Sequence, residues 1–251
     1  MKLFITLCFL SSFLISCKKD KVETPIVIPE PTETLEIRVQ PYYNGSIMHL
    51  DSTYTDAAGF LFKWSDFLFY LTQLKNGTST LATVALFDYR NTGTLALSVT
   101  GKSTDFTDLT FNIGVDSVTN HGDPSTYDNA SPLNIITSGQ MFWGWNPGYI
   151  FINLEGRVDT LVDGTNLFDL SMSYHIGSDV NRRTKTITNV NWQGSGSTKT
   201  LYLRIDVDQI ITGSGGTEIT VNNEYFTHSA PSASVLTNKF LTNFLYAFKV
   251  Q

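Results

Sequence analysis

Cysteine is almost absent: the 251 residues contain two, Cys8 and Cys17, both close to the N-terminus. No disulfide framework can be built from them. Nothing after Cys17 supplies a thiolate for a metal, a nucleophile or a blue-copper centre. Charge is scarce as well, at 16% of residues, and acidic side chains outnumber basic ones 23 to 17 for a net charge of −6. That balance argues against nucleic acid as a partner, because phosphates are held by an excess of Lys and Arg. Gly-rich phosphate loops, G-x-S-x-G, H-E-x-x-H and C-x-x-C-H are all missing. Ser, His and Asp occur, but no pattern sets a nucleophile beside a base, so no catalytic residues and no autonomous enzyme are expected. What is present is apolar residues at 41% and aromatic ones at 13%, enough to exclude a disordered chain.

The N-terminus reads as a targeting segment. Met1-Lys2 precedes an apolar run from Leu3 to Ile15, interrupted by Thr6, Cys8, Ser11 and Ser12. This is the charged start and short apolar stretch of a secretory signal, too short to span a bilayer. It ends in Leu14-Ile15-Ser16-Cys17, which looks like a bacterial lipobox: a small residue before the cut and a cysteine after it to carry acyl chains. An ordinary signal peptide with an unrelated cysteine is the alternative, and the abrupt switch to Lys18-Lys19-Asp20 favours the lipobox. The expectation is a signal over 1–16, lipidation at Cys17, and a tether over 17–34 that includes Pro25, Pro29 and Pro31. Acyl chains anchor a protein stably because each buried CH₂ contributes about 0.8 kcal/mol. Lys18, rather than Asp, after the cysteine favours the outer membrane.

From Leu35 the pattern is β. Leu35, Ile37 and Val39 alternate with Glu36, Arg38 and Gln40, the two-residue period of a half-buried strand. Strand-like runs at 67–75 and 81–90 are separated by Asn76-Gly77, a hairpin signal for positive φ. Further strands are expected at 109–115, 149–158, 166–175, 184–192 and 199–207. In the last run, Leu236, Phe240, Phe244 and Phe248 recur every four residues, which predicts an amphipathic helix that could give way to a strand at its end. Many short strands without alternating βα units predict an all-β fold, an antiparallel β-sandwich with a short C-terminal helix, as one domain over 35–251.

Several residue groups carry potential chemistry. Asp206-Val207-Asp208 would place two carboxylates on one face of a strand, although such pairs are more often solvated edges or turns. Asp123, Asp128 and Asn129 share a loop without the spacing of a calcium site, and turn chemistry explains them equally well. The four histidines, His49, His121, His175 and His228, matter more. With no usable cysteine, a late-transition-metal site in this domain must be built from imidazole and carboxylate, and loops at one end of a sandwich can bring distant residues together. Trp143 and Trp145 lie in the aromatic stretch Met141–Tyr149, which could pack in the core or present a stacking surface.

Taken in order, Ile113-Gly114-Val115-Asp116, Asn120-His121-Gly122-Asp123, Ser131-Pro132-Leu133-Asn134, Met141-Phe142-Trp143-Gly144-Trp145 and Gly148-Tyr149 resemble the core signature of the MbnP-like copper-binding proteins. Leu50–Tyr54 and Phe67–Leu74 resemble that family's opening strands, and Tyr174-His175-Ile176-Gly177-Ser178 a later histidine segment. The resemblance covers most of residues 35–250, and its central block is the specific part. It implies a β-sandwich of the bacterial envelope that binds one copper ion. It also implies a tryptophan oxidised to kynurenine by a dihaem peroxidase-like partner. Carried over residue by residue, His121 and His175 are the expected ligands, His228 is a looser match, and Trp143 or Trp145 is the aromatic site. The chain departs from the family in having no cysteine after Cys17 and no tryptophan two residues before a histidine.

Two functions follow from different classes. One is a lipid-anchored copper-binding protein whose site is completed by His228, a backbone carbonyl or water. The other is a binding or adhesion module that keeps the scaffold without the metal and recognises a glycan or a partner protein. Whether three of the four histidines converge in space separates them.

Overall fold

The alternation that opens the domain becomes the central strand of a sheet. The computed structural model describes residues 32–144, 147–161, 163–213, 216–229 and 235–251. The expected signal, the lipidation site Cys17, most of the tether and Trp145 lie outside these residues. In chain order the strands are β1 (Glu33–Tyr43), β2 (Ser46–Ile47), β3 (Thr53–Thr55), β4 (Leu61–Asn76), β5 (Ser79–Asp88), β6 (Leu95–Gly101) and β7 (Leu109–Ile113). They continue with β8 (Ile150–Val158), β9 (Leu170–Gly177), β10 (Arg183–Ile187), β11 (Thr198–Asp206), β12 (Phe226–Thr227) and β13 (Phe248–Val250). The helices are α1 (Tyr89–Thr92), α2 (Ser117–Asn120), α3 (Ile135–Ser138), α4 (Val207–Thr212) and α5 (Val235–Ala247).

Two sheets pack face to face. The smaller has the order β13-β11-β1-β2, with β6 also on β1; the larger runs β10-β7-β4-β8-β9-β12, with β3 and β5 also on β4. The fold is therefore an all-β sandwich with a C-terminal helix. Most pairings are antiparallel, and two are parallel: β1 with β11 and β9 with β12. Thr32–Gln251 form one compact unit.

The inner core explains the alternation. Leu35, Ile37 and Val39 of β1 meet Phe67, Phe69 and Leu71 of β4, together with Phe240 and Phe244 of α5. The Phe244 ring lies 6.3 Å from Phe67 and 5.5 Å from Phe69. A second cluster forms on the opposite face of the larger sheet, where Leu68 and Tyr70 pack with Val115, Leu133, Met141, Tyr149 and Phe151. The chain between β7 and β8 covers that face, and the Tyr70 hydroxyl donates to Pro132 O at 2.9 Å. Residues 67–74 are a nearly unbroken apolar run because both faces of this strand are buried.

Several expectations shift. β4 begins at Leu61, where Phe62 and Trp64 are buried on either side of Lys63; an irregular pairing between Trp64 and Asp66 interrupts the pattern the sequence shows. β6 is a further strand, whose Leu97 and Val99 pair with Ile37 and Leu35 and are only partly buried against the core. The start of β1 takes in the last residues of the expected tether. Glu33 accepts from Ser103 N at 2.6 Å and Thr34 N donates to Ser197 O at 2.7 Å, which pins this end. Asp206 and Asp208 do not share a strand face: the first is buried at the end of β11, bonded to Arg204 and to Lys249 Nζ at 2.9 Å, and the second lies in the first turn of α4. Asp123 is a turn residue, accepting from Ser125 N at 2.9 Å. Asn76-Gly77 forms the β4–β5 turn, with Gly77 at φ +56°. The terminal run is helical through Ala247, and Phe248 then enters a strand opposite Ile205.

Candidate metal centre

Strands β8 and β9 present different chemistry on their two faces. Ile152, Leu154, Met172, Tyr174 and Ile176 are buried in the inner core. Between them Asn153, Glu155, Ser173 and His175 project from the other face, as period two requires. The register sets Asn153 opposite His175 and Glu155 opposite Ser173. β12 then adds to β9 in parallel, with Phe226 beside Ser173, which carries His228 alongside His175.

The two imidazoles stack, with centroids 4.6 Å apart and planes 8° apart. Trp143 arrives from the β7–β8 connection, and its ring lies 5.8 Å from His175 and 5.5 Å from His228. Gly177 makes this approach feasible, because a Cβ there would stand 3.0 Å from Trp143 Cζ3. Phe226 closes the other side of His228 at 4.3 Å. The turns around the pair are locked. Ser178 and Ser229 both take positive φ, at 71° and 42°. Ser178 Oγ donates to Ser229 O at 3.0 Å, and Ser229 Oγ to His175 O at 3.1 Å. Left-handed non-glycine residues cost energy and persist where surrounding bonds hold them.

One edge of the stack is polar. His175 Nε2 lies 2.5 Å from Glu155 Oε1 and 3.0 Å from Ser173 Oγ, and the same hydroxyl is 3.5 Å from His228 Nε2. The hydrogen bond from His175 holds the Glu155 carboxyl below its ordinary range, against the upward push of partial burial. The Asn153 amide adds to this pull. His228 is lowered from the usual imidazole value, first by burial and then by the nearby His175, with Glu155 opposing. His175 Nδ1 is buried and has no hydrogen-bond partner among the described residues.

His121 is elsewhere in this arrangement. It follows α2 and meets Asp179 Oδ2 at 3.2 Å with its side chain half exposed. Against the push of burial, bonds from Ser117, Asn120 and His121 hold Asp179 below the ordinary carboxylate range. Asn120, fully buried, donates to Asp179 at 2.8 Å and accepts from Tyr149 N at 2.8 Å, so this cluster ties the connection to the end of β9. The structure thus brings His175, His228 and Trp143 together and gives His121 a separate partner. Among the described residues no three His, Cys, Asp or Glu side chains stand as a ready metal cage.

Glu155, Ser173 and Asn153 are the site residues that sequence reasoning missed. The available signal was a pair of polar residues two apart in each of two apolar strands, Asn153-x-Glu155 and Ser173-x-His175. Two imidazoles beside a carboxylate and a hydroxyl form a donor set that suits copper or zinc, and by donor type the residues present fit such an ion.

Fold and site together define a β-sandwich with an imidazole–indole cluster on the outer face of its larger sheet. The family model MbnP matches residues 32–231, and the chain belongs to the MbnP family. Among solved structures, MbnP from Methylosinus trichosporium is similar at TM-score 0.52 and 14% identity, over 80% of this chain and 84% of that one. A search of the curated proteins finds no match.

Proposed function

We propose that this chain is a lipid-anchored copper-binding protein of the bacterial envelope, with His175 and His228 as imidazole ligands of one ion. The observation that carries the reading is that His175 and His228 meet on one polar edge, with Ser173 Oγ 3.0 Å and 3.5 Å from their Nε2 atoms and Trp143 against both rings. Membership in the MbnP family supports a copper-related role. Imidazole binds copper in its neutral form, and burial already favours that form at His228. His121, bonded to Asp179, is left out of the ligand set.

In this reading Trp143 is the residue to examine for oxidation to kynurenine. A dihaem peroxidase-like partner would supply the oxidising power, since no haem-attachment motif occurs in the chain. Trp145, in the same aromatic motif, is the other position to map. The anchor is the acylated Cys17, the address the outer membrane, and no catalytic activity of its own is assigned.

Metal analysis and intact mass of the protein isolated from its native envelope test this reading. One copper per chain, lost in His175→Ala and His228→Ala while the fold persists, is the expected result. A kynurenine mass shift mapped to Trp143 would add the oxidation step, and Cys17→Ala should release the protein from the membrane fraction. If the wild type takes up no copper on titration, the reading fails and the glycan- or protein-binding module becomes the better account.

A further inference from the structure

Glu155 stands on the working side of the histidine pair. A carboxylate that only orients a metal-binding histidine contacts the ring nitrogen remote from the metal. His175 Nδ1 is buried and has no partner among the described residues. Glu155 contacts Nε2 instead, on the edge shared with Ser173 Oγ and His228 Nε2. The Glu155 side chain keeps about a third of its exposure, 31%, and among the described residues its ion-pair partner is His175 rather than a lysine or arginine. Behind it Asn153 is fully buried, faces the same side of the sheet, and leaves both amide atoms unpartnered. Burying an amide without partners is costly. This one projects from the same face as Glu155 and acts on its carboxyl.

We propose that Glu155 is the third donor of the centre, an oxygen ligand beside His175 and His228 that lets the site hold divalent copper as well as monovalent. The proposal rests on the copper reading above and extends it to oxidation state. Two neutral imidazoles leave the full charge of the ion uncompensated, and a carboxylate offsets one unit. That gain is larger for a doubly charged ion, and carboxylate oxygen is the harder donor type. In the structure the Glu155–His175 hydrogen bond occupies the positions that the ion would take, so binding replaces that hydrogen bond and the neutral His175 ring carries its proton on Nδ1.

The test uses the full-length protein and the variant Glu155→Gln, whose amide oxygen can still accept from His175 and so preserves local packing. Cu(I) and Cu(II) affinities are measured separately by competition with chelators of known strength, and the Cu(II) form is examined by electron paramagnetic resonance. The expected result is a loss of roughly tenfold or more in Cu(II) affinity with Cu(I) affinity nearly unchanged. The Cu(II) spectrum should also shift toward fewer oxygen donors. Equal weakening of both oxidation states would overturn the proposal and leave Glu155 as a positioning residue. No change in either would overturn it as well. Failure of the underlying reading shows separately: wild-type protein that binds neither ion, or a His228→Ala variant that binds both normally, removes the histidine site itself.

Discussion

Strands β8 and β9 carry two surfaces of opposite character on the same few residues. The inner one is Ile152, Leu154, Met172, Tyr174 and Ile176, all sealed between the sheets. The outer one is Asn153, Glu155, Ser173 and His175, polar and partly open, with His228 and Trp143 laid against it. The contrast separates stability from chemistry. Removing inner atoms leaves cavities in a close-packed interior, whereas outer side chains act through donor atoms that contribute little to the fold.

The largest effect should come from the inner face. Leu154→Ala is expected to cost about 2–5 kcal/mol in chemical denaturation while the folded fraction keeps its copper stoichiometry. Lost copper binding in the folded fraction would show that the two faces are coupled. Gly177→Ala comes next, since the new Cβ meets the Trp143 ring and Tyr149 O, both at 3.0 Å. Overpacking of this kind costs about 1–3 kcal/mol, and changed tryptophan emission would report the displaced ring.

A smaller effect is expected at acid pH from Asp179. Its folded-state carboxyl is held below the ordinary value, so it contributes stability above the unfolded value of about 3.9. That contribution disappears as pH falls through the folded value, and Asp179→Asn should flatten this part of the pH–stability curve. A curve unchanged by the substitution would remove Asp179 as an anchor of the β7–β8 connection. The smallest effect is assigned to His121→Ala, which should leave copper affinity unchanged. A loss comparable to that of His228→Ala would bring His121 back into the ligand set.

Much of the scaffold was readable because burial imposes a period. The alternation in Leu35–Val39 and the four-residue spacing of Leu236, Phe240 and Phe244 each reflect one covered face, and the turn at Asn76-Gly77 reflects a positive φ at Gly77. β6 was less legible because its core-facing Leu97 and Val99 are only partly covered. β4 looked short because an irregular pairing near Ser65 breaks its period. At the site, His175 and His228 stood out as scarce imidazoles, while Glu155 was one of 23 acidic residues with nothing local to distinguish it.

The sequence by itself determined the β class, the helix at the C-terminus, the lack of thiol chemistry in the domain and the candidate histidines, all properties of local pattern and composition. Which histidines meet was decided only by the tertiary structure. His175 and His228 are 53 positions apart, and the parallel addition of β12 to β9 makes their rings neighbours. The same register turns Glu155 toward His175, and the turn at Asp179 draws His121 away to a partner of its own. Side-chain identity supplies donor atoms, but register and strand order fix which of them share one small volume.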